Sequence, residues 1–223
     1  QEGVQQISNG SFDTDTKWTT NTGWSISGGS ANCDGTQSGN TTLVQQNGIK
    51  GAIIDFVVGK TYKVNFDVVV TSGQISNIEV ASGYDYSNVT TSGNHTAYIT
   101  AVSTNDRFTI TANPSFIGSI DNVSVREVGQ DWSLGTGWSI AEDKAVADGT
   151  TNNAISQTTI SSVVGKSYKI DFTIDDYVTG NIRIYFGGVF TPFVNVNGVY
   201  SFYITATAVD ALATSASGLF NGS

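Results

Sequence analysis

Thr22-Gly23-Trp24-Ser25-Ile26, running on to Asp34-Gly35-Thr36, returns as Thr136-Gly137-Trp138-Ser139-Ile140 running on to Asp148-Gly149-Thr150. Each copy reads as a glycine turn, a strand anchored by a tryptophan, a polar stretch and a second turn at Asp-Gly. The similarity extends outward in order. Trp132 answers Trp18, Gly165-Lys166-Ser167-Tyr168-Lys169-Ile170 answers Gly59-Lys60-Thr61-Tyr62-Lys63-Val64, and Tyr203-Ile204-Thr205-Ala206 answers Tyr98-Ile99-Thr100-Ala101. The offset falls from 114 residues at Trp24 and Trp138 to 104 at Phe116 and Phe220, as small loop deletions would make it. An ordered series of this kind marks a duplicated domain. The halves divide at 1–128 and 129–223, with only a few residues around Val128-Gly129-Gln130 between them.

Composition agrees with short strands joined by turns. Charged residues make up 13% of the 223 positions, against roughly 25% in an average domain. Polarity is carried instead by Ser, Thr, Asn and Gly, beside many Val, Ile, Tyr and Phe. Tyr62, Val64, Phe66 and Val68 alternate with Lys63, Asn65 and Asp67, the period of a half-buried strand. Thr42–Gln46, Gly51–Phe56, Gln74–Ala81, His95–Ala101, Arg107–Thr111 and Ser119–Glu127 are further candidates. In the last, Asp121, Val123 and Val125 fall opposite Ile120, Asn122, Ser124 and Arg126, a pattern expected near a sheet edge or beside a loop. No segment holds helical periodicity beyond about two turns, so the chain reads as all-β. The second copy stops where the first continues into Ile120-Asp121-Asn122-Val123-Ser124-Val125. Its sheet is therefore expected to lack one strand, supplied either by further chain or by a neighbouring chain.

Net charge of −9 excludes a nucleic-acid surface, which needs clustered Lys or Arg. No apolar run approaches the ~18–20 residues of a membrane span. One cysteine, Cys33, rules out an internal disulfide and a cysteine-rich metal site; it reads as a small residue within a strand, with an intermolecular bridge as the alternative. Six Asn-x-Ser/Thr sequons are expected by frequency in such a chain and matter only in a glycosylating pathway.

Asn9-Gly10-Ser11-Phe12-Asp13, Gly23-Trp24-Ser25-Ile26, Gly59-Lys60-Thr61-Tyr62-Lys63-Val64 and Gly118-Ser119-Ile120-Asp121-Asn122-Val123-Ser124-Val125 together resemble the galactose-binding-like jelly rolls of the carbohydrate-binding module family 4/9 type. The wording is especially similar to tandem modules of bacteriophage tail, fibre and other virion proteins. The resemblance spans both halves and implies two tandem β-sandwich jelly rolls with a binding or structural role. It also implies a structural Ca²⁺ in the first domain, at Asp13 and Asp121.

Residues for contact are sought where the copies diverge: Tyr84 and Tyr86 after Ser82-Gly83, and Phe190 and Phe193 after Gly187-Gly188. Aromatics that vary on a constant frame suit a contact surface. Trp24 and Trp138, matched in both copies, read as core. Catalysis has little to stand on. His95 is the only histidine and its counterpart is Tyr200, while Asp13/Asp15, Glu142/Asp143 and Asp175/Asp176 sit in polar turns or strand ends.

The expected role is that of a non-catalytic bacteriophage virion protein, a fibre, spike or decoration component. It would contact other virion proteins, itself as a homo-oligomer, or host cell-surface glycans. The alternative is a carbohydrate-binding module of a secreted polysaccharide-active enzyme.

Overall fold

The computed structural model describes residues 2–223. The described residues are all strands, turns and loops, with no helix and hence none long and apolar enough to cross a membrane. Two compact units, Gln1–Val128 and Gly129–Ser223, divide the chain.

The first unit is a sandwich of two antiparallel sheets. Its strands are β1 (Glu2–Gln5), β2 (Thr19–Thr20), β3 (Trp24–Ser27), β4 (Ser30–Cys33), β5 (Thr41–Gln46), β6 (Thr61–Ser72), β7 (Ile75–Val80), β8 (Gly83–Asp85), β9 (Gly93–Thr100), β10 (Arg107–Ala112) and β11 (Ile117–Val128). One sheet runs β3-β4-β11-β6-β9, with β1 also on β11; the other runs β2-β5-β10-β7-β8. Neighbours in each sheet are mostly distant in sequence, as jelly-roll winding requires. The inward residues of both sheets form one core that includes Trp18, Leu43, Tyr62, Phe66, Phe108, Ile110 and Phe116.

The second unit repeats the plan with β12 (Trp132–Leu134), β13 (Trp138–Ala141), β14 (Lys144–Asp148), β15 (Ile155–Ser161), β16 (Ser167–Ile174), β17 (Thr179–Phe186), β18 (Val189–Phe190), β19 (Gly198–Thr205) and β20 (Ala211–Gly222). β20 pairs with β14, β15 and β17, whereas β16 pairs with β19 alone. Its core is thin, with Ala147, Ile174, Ile182 and Phe220 as the buried cluster.

The repeated motif has a physical cause in each copy. Gly23 and Gly137 take φ of 88° and 84° to start the tryptophan strand, a conformation that penalises any side chain. Trp24 then lies 5.8 Å from Phe116, and Trp138 lies 6.2 Å from Phe220, ring centre to ring centre. At the Asp-Gly turn, the Asp34 carboxylate accepts from the amide and hydroxyl of Thr36, at 2.9 and 2.7 Å. Asp148 does the same with Thr150. Both carboxyls are held below their ordinary range by these bonds. The phenol of Tyr62 accepts the Val57 amide and that of Tyr168 the Val163 amide, each at 2.8 Å.

Three readings of the sequence change. β11 is not at an edge: it pairs with β4 on one side and β6 on the other. Its alternation breaks because a β-bulge inserts one residue between Asp121 and Ser124, with Asn122 at φ 51°. After this shift Ile120, Val123 and Val125 all point into the core. Gly51–Phe56 is a loop, although Ala52, Ile54 and Phe56 are buried alternately. The amides of Ile54 and Phe56 are bonded to the side chains of Asn47 and Asp106, which replace a partner strand. Trp138 is half-buried where Trp24 is buried, because the core around it is less covered.

Cys33 is 3% exposed, its thiol directed at Gln37 and pushed up by burial. That position offers no surface for an intermolecular bridge.

Candidate functional site

Tyr84 lies on β8, the short edge strand of its sheet, and Tyr86 in the loop that follows. The two rings stack at 5.4 Å with 19° between their planes, and they are 47% and 65% exposed. An exposed stacked pair keeps broad apolar faces in water, which is unfavourable unless a ligand uses them. Gly83 fixes the strand that carries them. A Cβ there would fall 1.9 Å from the carbonyl oxygen of Thr100, so only glycine lets β8 lie this close to the end of β9.

Asp85, between the two tyrosines, opens onto a cleft of about 150 Å³. Phe66 and Ile78 form its apolar floor, and Asn88, Thr91 and His95 join Asp85 in its polar wall. The volume is below the ~300–1,000 Å³ of a pocket for drug-sized ligands. It suits one small polar ring or the end of a chain. The wall is braced from within: the Asp85 carboxylate accepts the Ser87 amide at 2.8 Å, and Asn88 accepts from Gln74 at 2.7 Å.

His95 acts as a brace. Its Nε2 stands 2.9 Å from the carbonyl oxygen of Thr91, and since a carbonyl only accepts, Nε2 carries the proton. The imidazole stacks on Phe66 at 5.8 Å. In the second unit, Tyr200 lies 5.3 Å from Phe172 and donates to the carbonyl of Val196 at 2.8 Å. An imidazole and a phenol perform the same task, four residues from their acceptor, at equivalent places. The task is to pin the loop before β9 onto the aromatic below it.

Phe190 and Phe193 also come together, but on a residue of their own unit. The Arg183 guanidinium lies 3.7 Å from one ring centre and 4.3 Å from the other, and Tyr185 packs 4.8 Å from Phe190. Cation–π contact of this kind occupies ring faces that a ligand would need. The arginine was not legible as a partner, because only the β17–β18 hairpin brings it between residues 190 and 193.

Asp13 and Asp121 lie on segments that meet. The Val123 amide donates to the Gly10 carbonyl at 2.9 Å, and a Cβ at Gly10 would fall 2.0 Å from the Val123 carbonyl oxygen. The loop bearing Asp13 thus docks on the bulge bearing Asp121. Asp13 accepts from the Ser11 hydroxyl at 2.7 Å, and Asp121 accepts the Asn122 amide at 2.6 Å. On β6, Asp67 accepts from Asn122 and Asn94, which hold its carboxyl below the ordinary range. Among the described residues no three His, Cys, Asp or Glu side chains converge as a metal cluster. A calcium ion here would need most of its 6–8 oxygens from backbone and water.

The remaining carboxylates suggested by the sequence are used in other ways. Asp175 and Asp176 both pair with Lys144, at 3.2 Å each. Glu142 and Asp143 form the positive-φ turn between β13 and β14.

No family model matches the chain. No curated protein matches it either. Among solved structures, the chain is similar to the N-terminal CBM22-1–CBM22-2 tandem domain of Paenibacillus barcinonensis Xyn10C, at 10% identity and a TM-score of 0.40, over 96% of this chain and 90% of that one. A second similarity is to the GH2 beta-galacturonidase of Eisenbergiella tayi bound to galacturonate, at 9% identity and a TM-score of 0.28. It covers 82% of this chain but only 30% of that enzyme.

Proposed function

We propose that the chain is a non-catalytic carbohydrate-binding protein whose first unit engages glycans through Tyr84, Tyr86 and the cleft beside them. The observation that carries this is the exposed, stacked pair of Tyr84 and Tyr86, with Asp85 between them in sequence lining a small cleft of mixed character. Pyranose rings have an apolar face that suits an aromatic platform and hydroxyls that suit Asp, Asn and Thr. Of the two roles read from the sequence, the glycan-binding module of a secreted polysaccharide-active protein accounts for this site. A virion component that contacts host cell-surface glycans would use the same platform, and the class of glycan bound separates the two roles.

The test is a panel of soluble oligosaccharides, from plant polysaccharides to bacterial surface glycans, titrated against the native protein and the double variant Tyr84→Ala/Tyr86→Ala. Loss of an aromatic anchor pair is expected to weaken binding by on the order of tenfold or more. Melting should move little, since both side chains are exposed. Unchanged affinity in the variant would rule out the platform, and Phe190→Ala/Phe193→Ala serves as the parallel test in the second unit.

As a second component, we propose a structural Ca²⁺ in the first unit held by Asp13 and Asp121. The docking of the Asp13 loop on the Asp121 bulge supports it. Calcium at about 100 times its dissociation constant would add about 2.7 kcal/mol. Chelator should therefore lower the melting point of the native protein and leave that of Asp121→Asn unmoved. Superimposable native curves with and without chelator would dismiss the ion.

A further inference from the structure

On β17 the buried Ile182, Ile184 and Phe186 alternate with Arg183 and Tyr185, which therefore stand on the outer face of their sheet. Register relates this face to that of the first unit. Tyr185 pairs with Phe190 on one side and Ala213 on the other, as Glu79 pairs with Tyr84 and Thr109. Phe190 thus holds the place of Tyr84, and Arg183, two positions before Tyr185, holds that of Asn77.

The first unit satisfies its arginine on this face internally. Arg107, two positions before Thr109, meets the Glu79 carboxylate at 2.8 Å. In the second unit the corresponding pair is Ala211 and Tyr185, so both the cation and its carboxylate are gone from those places. The cation reappears at Arg183 without an acid. Among the described residues no carboxylate lies within ion-pair distance of it, although acidic residues outnumber basic ones in this unit and Lys144 and Lys169 are both paired. Asp210 accepts instead from the Tyr185 phenol, at 2.7 Å.

Two rings position Arg183 in place of a counter-ion. Its guanidinium carbon lies 3.7 Å from the Phe190 ring centre and 4.3 Å from that of Phe193, and Nε donates to the Ser215 hydroxyl at 3.4 Å. Nη1 and Nη2 have no hydrogen-bond partner among the described residues. Aromatic faces hold a guanidinium in place without neutralising it. The group is weakly hydrated, and its fork of donors matches a carboxylate through two parallel bonds. A single cation in an acidic unit suits a singly charged group better than a phosphate.

We propose that Arg183, walled by Phe190 and Phe193, is a receptor for the carboxylate of an acidic glycan, a chain of uronic acid residues. The sugar rests on the glycan reading of the first unit, because Phe190 occupies the place of Tyr84 and both phenylalanines remain more than 40% exposed for contact with a pyranose. The carboxylate rests on Arg183 alone. A neutral sugar would leave the guanidinium unused.

The experiment titrates short oligogalacturonates and oligomannuronates, with their carboxyl-reduced forms, against the native protein, Arg183→Gln, Arg183→Lys and Tyr84→Ala/Tyr86→Ala. At least one uronate should bind the native protein on the order of tenfold or more tighter than its reduced form, and Arg183→Gln should lose a similar factor. Arg183→Lys should recover part of it, since it keeps the charge but not the fork. The tyrosine variant should bind that uronate as the native protein does. Absence of binding by either uronate, equal affinity for acid and reduced forms, or an Arg183→Gln variant that binds normally would each overturn the receptor. The comparison of acid with reduced form uses only the native protein and holds whatever the variants do to folding. Glutamate oligomers that bind as tightly as the uronate would overturn the sugar. If no neutral glycan binds the tyrosine platform but uronate binding still depends on Arg183, the platform falls and this receptor stands.

Discussion

Trp18→Ala is expected to unfold the first unit under conditions that leave Trp132→Ala folded. Trp18 is fully buried, 5.0 Å from Phe12 and 6.0 Å from Phe108, and its indole donates to the Asn9 carbonyl at 2.8 Å. Truncating a buried tryptophan costs about 3–5 kcal/mol in lost burial and residual cavity. The Asn9 carbonyl loses its donor as well. Against a total stability of about 5–15 kcal/mol, such a loss lowers melting by on the order of 15 °C for a unit of this size. Trp132, its repeat counterpart, is only half-buried at the start of β12, so its truncation should cost about 1 kcal/mol. Calorimetry of the two variants reads the difference, since each unit has its own core. Equal shifts in both would show that the duplicated tryptophans bear equal load, contrary to their burial.

The unequal burial also explains which features could be read from the sequence. The repeat was legible because it recurs in Gly, Asp-Gly and aromatic positions whose backbone and packing roles are local. Gly23 must take positive φ, Asp34 must meet Thr36, and Tyr62 must reach Val57, whatever the rest of the chain does. β6 was legible because its alternation is unbroken. β11 was misplaced because a single bulge residue, Asn122, moves Val123 and Val125 onto the same face as Ile120, and alternation counts cannot register an insertion. Gly51–Phe56 misled in the opposite sense. It alternates as a strand does, but Asn47 and Asp106 take the hydrogen bonds that a neighbouring strand would have taken.

The candidate site was legible only in its rim. Tyr84 and Tyr86 stand out as aromatics in a divergent segment. The cleft beside them draws on β6, β7, the loop after β8 and β9, and nothing local in Phe66, Asn88 or His95 announces their convergence. His95 in particular acquires its meaning from comparison with Tyr200, once both are seen to bond the carbonyl four residues before them.

Gln45→Ala is expected to detach the opening segment of the first unit, at a cost of about 3 kcal/mol. Gln45 is fully buried on β5 and faces Phe108 in register on β10. Its side chain accepts the Ser8 amide and donates to the Ser8 carbonyl, both at 2.8 Å. One glutamine thus replaces a neighbouring strand for a segment that has left β1 and not yet reached Phe12. Removing it leaves two backbone groups without partners, each costing ~1–3 kcal/mol where water cannot reach. Partial entry of water offsets some of that sum. The segment also carries Ile7, Phe12 and the Asn9 carbonyl that Trp18 uses, so its release should speed amide exchange from Ser8 to Phe12 well before global unfolding. Gln157 is the internal control. It faces Leu212 on β20 as Gln45 faces Phe108, but it is half-buried, and the second copy has no counterpart of the Asn9-Gly10-Ser11-Phe12-Asp13 motif to hold. Gln157→Ala should therefore change stability by less than about 1 kcal/mol. If Gln45→Ala were equally mild, with exchange at Ser8 unaltered, the opening segment would be held by Ile7 and Phe12 alone. The docking of Gly10 on Val123 would then need no polar support from β5.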